Sequence, residues 1–169
     1  MSSGSWMNAD GLYLQFGTSK PAVDVAGEYK TYGDMREINI RLDLTTLTTT
    51  PTIISQNLKF PTGMRIARIE VISDVAATGA GATLDLGLQK EDRVTELDYN
   101  GLLSAVALTA FDAVGETNSY TAGVAGAGVL VGTSTTEVGY LTANSNAAVY
   151  TAGALDIRIF LYGRGTITQ

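Results

Sequence analysis

Glu37-Ile38-Asn39-Ile40-Arg41-Leu42-Asp43-Leu44 changes from polar to apolar at every step. A period of two puts Ile38, Ile40, Leu42 and Leu44 on one face of an extended chain and Glu37, Asn39, Arg41 and Asp43 on the other. The segment therefore reads as a strand with one dry face and one wet face. The same alternation returns near the end of the chain, where Leu155, Ile157, Ile159 and Leu161 oppose Ala154, Asp156, Arg158, Phe160 and Tyr162. It appears a third time after the turn signal Gly79-Ala80-Gly81, where Ala82, Leu84, Leu86 and Leu88 alternate with Thr83, Asp85, Gly87 and Gln89. Each such strand leaves an apolar face that only a second layer covers.

The segments between them follow the same grammar less regularly. Thr45 to Pro51 is β-prone but punctuated, which reads as a loop or an edge. Ile53 to Phe60 reads as a strand closed by Pro61-Thr62-Gly63. From Met64 to Val75 the apolar phase slips: Met64 and Ile66 share one face, and Ile69, Val71 and Val75 take the other. A β-bulge or burial on both faces accounts for that slip. Leu102, Val106 and Ala110 fall at near-helical spacing, so Leu102 to Phe111 reads as one short helix. Val129 to Val131 and Val138 to Ala143 read as further short strands. About eight short strands with turn signals between them predict an all-β fold, a single β-sandwich or jelly-roll domain over 35–169.

Residues 1–34 differ from that pattern. Gly11, Gly17, Pro21, Gly27 and Gly33 separate the aromatics Tyr13, Phe16, Tyr29 and Tyr32. The segment reads as an extended N-terminal arm laid on a neighbouring surface, or equally as an edge strand of the same domain.

Composition narrows the function. The chain of 169 residues has no His and no Cys, but 19 Gly. This removes thiolate nucleophiles, Ser-His and Cys-His pairs, the usual structural zinc sites and disulfides. Charged residues make up 17% of the chain, and the net charge is -6 with no basic run, which argues against nucleic acid as a partner. Met1 to Asp10 has neither a basic start nor an apolar core, so no secretory leader is expected. No apolar run approaches the roughly 20 residues that span a bilayer, so no membrane partner is expected.

Several local patterns invite chemistry. Gly123-Val124-Ala125-Gly126-Ala127-Gly128 has the wrong glycine order for a phosphate loop, and a turn or a close approach of two backbones suits it better. Glu96, Asp98 and Asn100 before Gly101 resemble half a calcium loop, but Ala107 stands where a bidentate carboxylate is required. A plain turn is the simpler reading, and a weak calcium site stays open. Asp85, Glu91, Asp92, Glu96 and Asp98 are numerous enough for a glycosidase pair, yet Arg93 among them suggests a solvated hairpin with local ion pairs. Trp6, Tyr99, Tyr120, Tyr140 and Tyr150 are candidates for a sugar-stacking platform. No catalytic residue, cofactor or resident metal is assigned, and an enzyme is not expected.

One resemblance covers much of the chain. It is carried by Phe60-Pro61-Thr62-Gly63-Met64-Arg65-Ile66, Ala82-Thr83-Leu84-Asp85-Leu86-Gly87-Leu88 and Asp98-Tyr99-Asn100-Gly101-Leu102-Leu103. Val138-Gly139-Tyr140-Leu141-Thr142-Ala143 and Thr151-Ala152-Gly153-Ala154-Leu155-Asp156-Ile157-Arg158-Ile159 complete it. In texture and order this run resembles the head decoration, or capsid cement, proteins of tailed bacteriophages. The resemblance implies a non-enzymatic virion protein, made in the host cytoplasm, that binds the outer surface of an icosahedral head. It implies the major capsid protein as partner and a homo-oligomer, with a trimer favoured. On that reading Leu12, Tyr13, Leu14 and Phe16 add a strand to a neighbour, with Tyr29 and Tyr32 as secondary anchors. The alternative is a carbohydrate- or receptor-binding β-sandwich module of a tail or other virion component.

Overall fold

A computed structural model of the chain describes residues 35–55 and 58–163, together with the backbone of 4–7 and 13–16. The chain divides into two compact units, Met1–Gly33 and Asp34–Gln169. In the first, β1 (Gly4–Met7) and β2 (Tyr13–Phe16) form an antiparallel pair, with Trp6 opposite Leu14 and Met7 opposite Tyr13.

The second unit is a sandwich of two antiparallel sheets, and among its described residues there is no α-helix. Its strands are β3 (Met35–Asp43), β4 (Thr52–Ile53), β5 (Lys59–Phe60), β6 (Arg65–Thr78), β7 (Thr83–Lys90), β8 (Glu96–Ala107), β9 (Thr117–Tyr120), β10 (Gly139–Asn146) and β11 (Ala152–Tyr162). One sheet has the order β3-β11-β6-β9, and the other β4-β10-β7-β8 with β5 also on β10. The pairings are nested: β7 with β8 at the centre, then β6 with β9, β4 and β5 with β10, and β3 with β11 outermost. The chain therefore runs out and back as one long antiparallel ribbon that folds over itself. β11 on β6 and β10 on β7 seal the folds.

The alternating faces meet in one hydrophobic cluster. Ile40 and Leu42 of β3, Ile69 and Val71 of β6, Leu84, Leu86 and Leu88 of β7, and Leu155, Ile157, Ile159 and Leu161 of β11 all lie in it. Each fully buried Leu or Ile of this set contributes about 1.5–3 kcal/mol through loss of apolar contact with water. The phase slip in β6 is a bulge: Phe160 faces Arg68 and Leu161 faces Ile66, leaving Ala67 as the extra residue. A second irregularity lies between Ser73 and Thr78, and there Val75 is turned outward at 47% exposure rather than joining Ile69 and Val71.

Three expectations need correction. Leu102 to Phe111 is not a helix: β8 continues to Ala107, and only Leu108–Ala110 forms a single 3-10 turn. The helical spacing arose because register shifts against β7 break the period of two, so Leu102 and Leu103 are both buried although adjacent. Val129 to Val131 is a chain of tight turns, with the Val131 amide donating to the Gly128 carbonyl at 3.2 Å and Val129 exposed. Ile53 to Phe60 does not form one strand among the described residues, where Thr52–Ile53 and Lys59–Phe60 pair separately, each as a two-residue strand on β10.

The segment 126–130 lies along the outer edge of β8. The Gly128 amide donates to the Leu102 carbonyl at 2.9 Å, Leu130 to Gly101 at 2.8 Å, and Ser104 to Gly126 at 2.9 Å. A Cβ on Gly128 would collide with the Gly101 backbone, and one on Gly87 with the carbonyls of Asp98 and Tyr99. The glycine-rich stretch is thus a close approach of two backbones. Gly87→Ala is expected to lower stability by about 2–3 kcal/mol through overpacking, whereas Thr49→Ala on the exposed loop stays within about 0.5 kcal/mol. The midpoint of urea unfolding measures both.

Candidate functional site

The carboxylates singled out from the sequence all lie on β7, the turn after it, and β8. Asp85 is buried and accepts the Ala105 amide at 2.6 Å, with the Asn144 amide nitrogen at 3.5 Å. Ala105 has a φ of 48°, so the carboxylate holds a left-handed residue at the irregularity in β8. Asp92 accepts the amides of Val94 and Thr95 at 2.9 and 2.8 Å and the Thr95 hydroxyl at 2.5 Å, which closes the turn between β7 and β8. Those bonds, the Thr95 hydroxyl first, lower its pKa below the usual 3.8. Glu91 pairs with Lys59 at 2.7 Å, and Glu137 with Lys90 at 3.0 Å.

A shallow cavity of about 410 Å³ lies beside these groups, lined in part by Lys90, Glu91, Asp92 and Glu137. Its acids are the ones just placed in ion pairs and in a turn cap. They form a solvated, ion-paired hairpin rather than an acid-base pair facing a bound substrate. The half calcium loop lies within β8. Glu96 accepts the Tyr99 amide at 3.3 Å and Asp98 accepts the Asn100 amide at 3.2 Å. Among the described residues, no three of Asp and Glu gather as a metal site.

Among the described side chains the candidate aromatics do not form an exposed platform, and the side chain of Trp6 lies outside the described residues. Tyr120, Tyr140 and Tyr150 are buried, and a buried ring offers no face to a sugar. Tyr140 lies under Arg93, whose guanidinium carbon is 4.7 Å from the ring centroid and which donates to the hydroxyl at 3.2 Å. Tyr150 packs against Phe111 with centroids 6.2 Å apart. Burial, and then the charge of Asp85, push its pKa far up. Tyr99 is half-buried, and its hydroxyl is 3.5 Å from the side-chain amide of Gln89.

Of the arm residues, Tyr13, Leu14 and Phe16 belong to β2, where they pair with Met7, Trp6 and Gly4. Leu12, Tyr29 and Tyr32 lie outside the described residues.

What the sequence reading missed is the polarity of the sandwich. Three stretches, 44–55, 76–84 and 144–155, contain no charged residue at all. They converge at one end: the Ser145 amide donates to Thr48 at 2.9 Å, the Thr151 amide to Thr78 at 2.8 Å, and the two hydroxyls of Thr78 and Thr151 meet at 2.8 Å. Val149, 54% exposed, lies in the third stretch and Val75, 47% exposed, just before the second. Charge borders the patch: Asp74 pairs with Arg41, and the 112–116 loop with Asp112 and Glu116 joins β6 where the Gly115 amide donates to Ser73. The opposite end, built around the turns at 61–64 and 91–95, carries Lys59, Lys90, Glu91, Asp92, Arg93 and Glu137. A plain charge count along the chain would have found the three stretches, but not that the fold brings them together.

No family model matches the chain, and no curated protein matches it. Among solved structures, a chain of the capsid of Ralstonia phage GP4 aligns over 78% of this chain and 86% of its own length, with a TM-score of 0.50 at 17% identity. A chain of the cyanophage Pam1 capsid asymmetric unit gives 0.49 at 15% identity over 78% and 86%. A chain of the acidic stable capsid of Helicobacter pylori bacteriophage KHP30 gives 0.48 at 12% over 80% and 93%. The first of these shows a shared fold.

Two stability measurements check the local assignments. Asp85→Ala is expected to cost about 2 kcal/mol by leaving the Ala105 amide without its ionised acceptor, and Asp85→Asn less, because its amide oxygen still accepts. In pH, the lowered pKa of Asp43 and of Asp92 means stability is held above 3.8 and lost as pH falls through the lower folded values. The raised pKa of Tyr150 means stability is full below 10.0 and lost as pH rises toward its folded value. Tyr150→Phe should leave neutral stability unchanged, since that buried hydroxyl has no hydrogen-bond partner among the described residues, and should weaken the alkaline loss.

Proposed function

We propose that this chain is a structural virion protein that binds the outer surface of an icosahedral phage head and stabilises it, without enzymatic activity. The observation that carries the reading is the meeting of three uncharged stretches, 44–55, 76–84 and 144–155, in a patch of Thr, Ala and Val with Val75 and Val149 exposed beside it, while the Lys59–Glu91 and Lys90–Glu137 ion pairs stand at the opposite end. An uncharged, apolar patch is cheap to desolvate against another protein, whereas buried charges cost free energy unless they are paired. The engagement of the carboxylates in turns and ion pairs leaves a scaffold rather than a reaction centre. The fold shared with a chain of a phage capsid supports the same reading.

The nested ribbon, with strands passing alternately between two sheets, favours a jelly roll, an architecture at home in viral shells. In that role the domain is residues 35–169, and 1–34 act as the arm. Leu12, Tyr13, Leu14 and Phe16, with Tyr29 and Tyr32, then meet the major capsid protein or a sister subunit. A homo-oligomer, a trimer by resemblance, multiplies modest contacts through avidity. Binding that requires the assembled shell stabilises that shell by mass action.

Co-sedimentation with expanded, undecorated heads of the phage that encodes the protein tests this. Saturation at a fixed ratio to the capsid protein, with heads that survive more heat, is the expected result. Val149→Glu combined with Val75→Glu should weaken binding at least tenfold, about 1.4 kcal/mol, and removal of residues 1–34 should weaken it as well. Failure of the unaltered protein to bind any head form overturns the reading and leaves a tail or receptor-binding role.

A further inference from the structure

Open edges of a sheet invite pairing, and natural sandwiches shorten, cover or charge them. Here the edges are treated unequally. β4 and β5 have two residues each, β9 has four, and the edge of β8 is covered by 126–130. β3 is nine residues long, and among the described residues β11 is its only strand partner. Arg36, Glu37, Asn39 and Arg41 along it are exposed.

The sequence of that edge is complementary to itself. Set antiparallel to a second copy about Asn39, Glu37 faces Arg41 and Arg41 faces Glu37 on the wet side. Ile38 then faces Ile40 on the dry side, twice by symmetry, and Asn39 meets Asn39. Centring on Ile40 instead puts Glu37 opposite Asp43, like against like. Centring on Ile38 puts Arg41 opposite Met35. Intermediate registers turn the dry face of one copy to the wet side of the other. Of the three residue-centred registers only the Asn39 one brings opposite charges together, twice by symmetry, although it also sets Arg36 opposite Leu42 and Met35 opposite Asp43 at the two ends.

We propose that two copies of this protein join through β3 in that register, extending the β3-β11-β6-β9 sheet across a twofold axis at Asn39. The contact is isologous, the commonest form of association between identical chains. Cross-strand pairs of opposite charge and paired β-branched residues both favour it. It concerns the protein by itself, is a twofold contact distinct from the trimer that the resemblance implies, and stands apart from the head-binding reading.

The chain has no Cys, so single cysteines report the register cleanly. At the axis, directly opposed Cβ atoms lie about 4.5–5.5 Å apart, within reach of a disulfide after slight adjustment. Two copies of residue 36 would be roughly 20 Å apart along the strands. The full-length Asn39→Cys protein under mild oxidation should run as a covalent dimer, and Arg36→Cys should not. Glu37→Arg or Arg41→Glu in the Asn39→Cys background should cut the yield several-fold, and the two together should restore it. Restoration separates the intermolecular pair from the Arg41–Asp74 and Glu37–Arg158 ion pairs within one chain, neither of which the double variant rebuilds. An Asn39→Cys protein that stays monomeric, or an Arg36→Cys protein that links as readily, overturns the proposal. So does a double charge variant that fails to recover.

Discussion

The apolar faces of β7 and β11 are kept from water by burial in one shared core cluster. Leu84, Leu86 and Leu88 supply one side, and Leu155, Ile157, Ile159 and Leu161 the other. Every other feature accommodates that contact. β11 must pair on both edges, with β3 and β6, and β7 must pair with β8 and β10. The nested ribbon satisfies both demands while keeping all neighbours antiparallel. Polar residues then fall on the outside of the β3-β11-β6-β9 sheet, where Phe160 is shielded by the Arg68 guanidinium 4.2 Å from its centroid.

The irregular strand β8 is the cost of this arrangement. It takes more residues than β7 to cover the same length, so extra residues are expelled from the ladder between Leu86 and Leu88 and between Leu84 and Leu86. A buried carboxylate, Asp85, holds the left-handed Ala105 in place, and Gly87 lets the Asp98 and Tyr99 backbone pass overhead. Residues that look like chemistry in the sequence, a string of acids and a glycine-rich loop, are here the fittings of one bulged edge. Covering that edge with 126–130 also removes a site of uncontrolled pairing.

Charge is sorted in the same way. Ion pairs such as Lys59–Glu91 and Lys90–Glu137 are solvent-exposed and worth little to stability, a fraction of a kcal/mol each. Their effect is to keep one end wet. At the other end the three uncharged stretches form a patch of Thr, Ala and Val, bordered by the Arg41–Asp74 pair, that can meet another protein with little desolvation. The strand β3 combines both characters, with a dry face that belongs to the core and a wet face whose signs reverse about its centre.

The period of two in 37–44, 83–89 and 154–162 was enough to specify the all-β sandwich, because alternation leaves an apolar face that must be covered. The phase slip in β6 was legible as a bulge for the same reason: a break in parity is visible wherever regular strands flank it. The sequence misled where irregularity was dense. In β8 adjacent leucines and a spacing of four imitated a helix, since successive register shifts produce no fixed period. Tyr120, Tyr140 and Tyr150 could not be told from surface rings, because burial of a lone aromatic depends on what crosses above it. Alternation and composition thus determined the class of fold and the poverty of catalytic groups, both properties of local pattern. Which edges are paired or covered, where the acids point and which uncharged stretches meet were decided only by the tertiary structure, because each depends on residues tens of positions apart brought together by strand pairing.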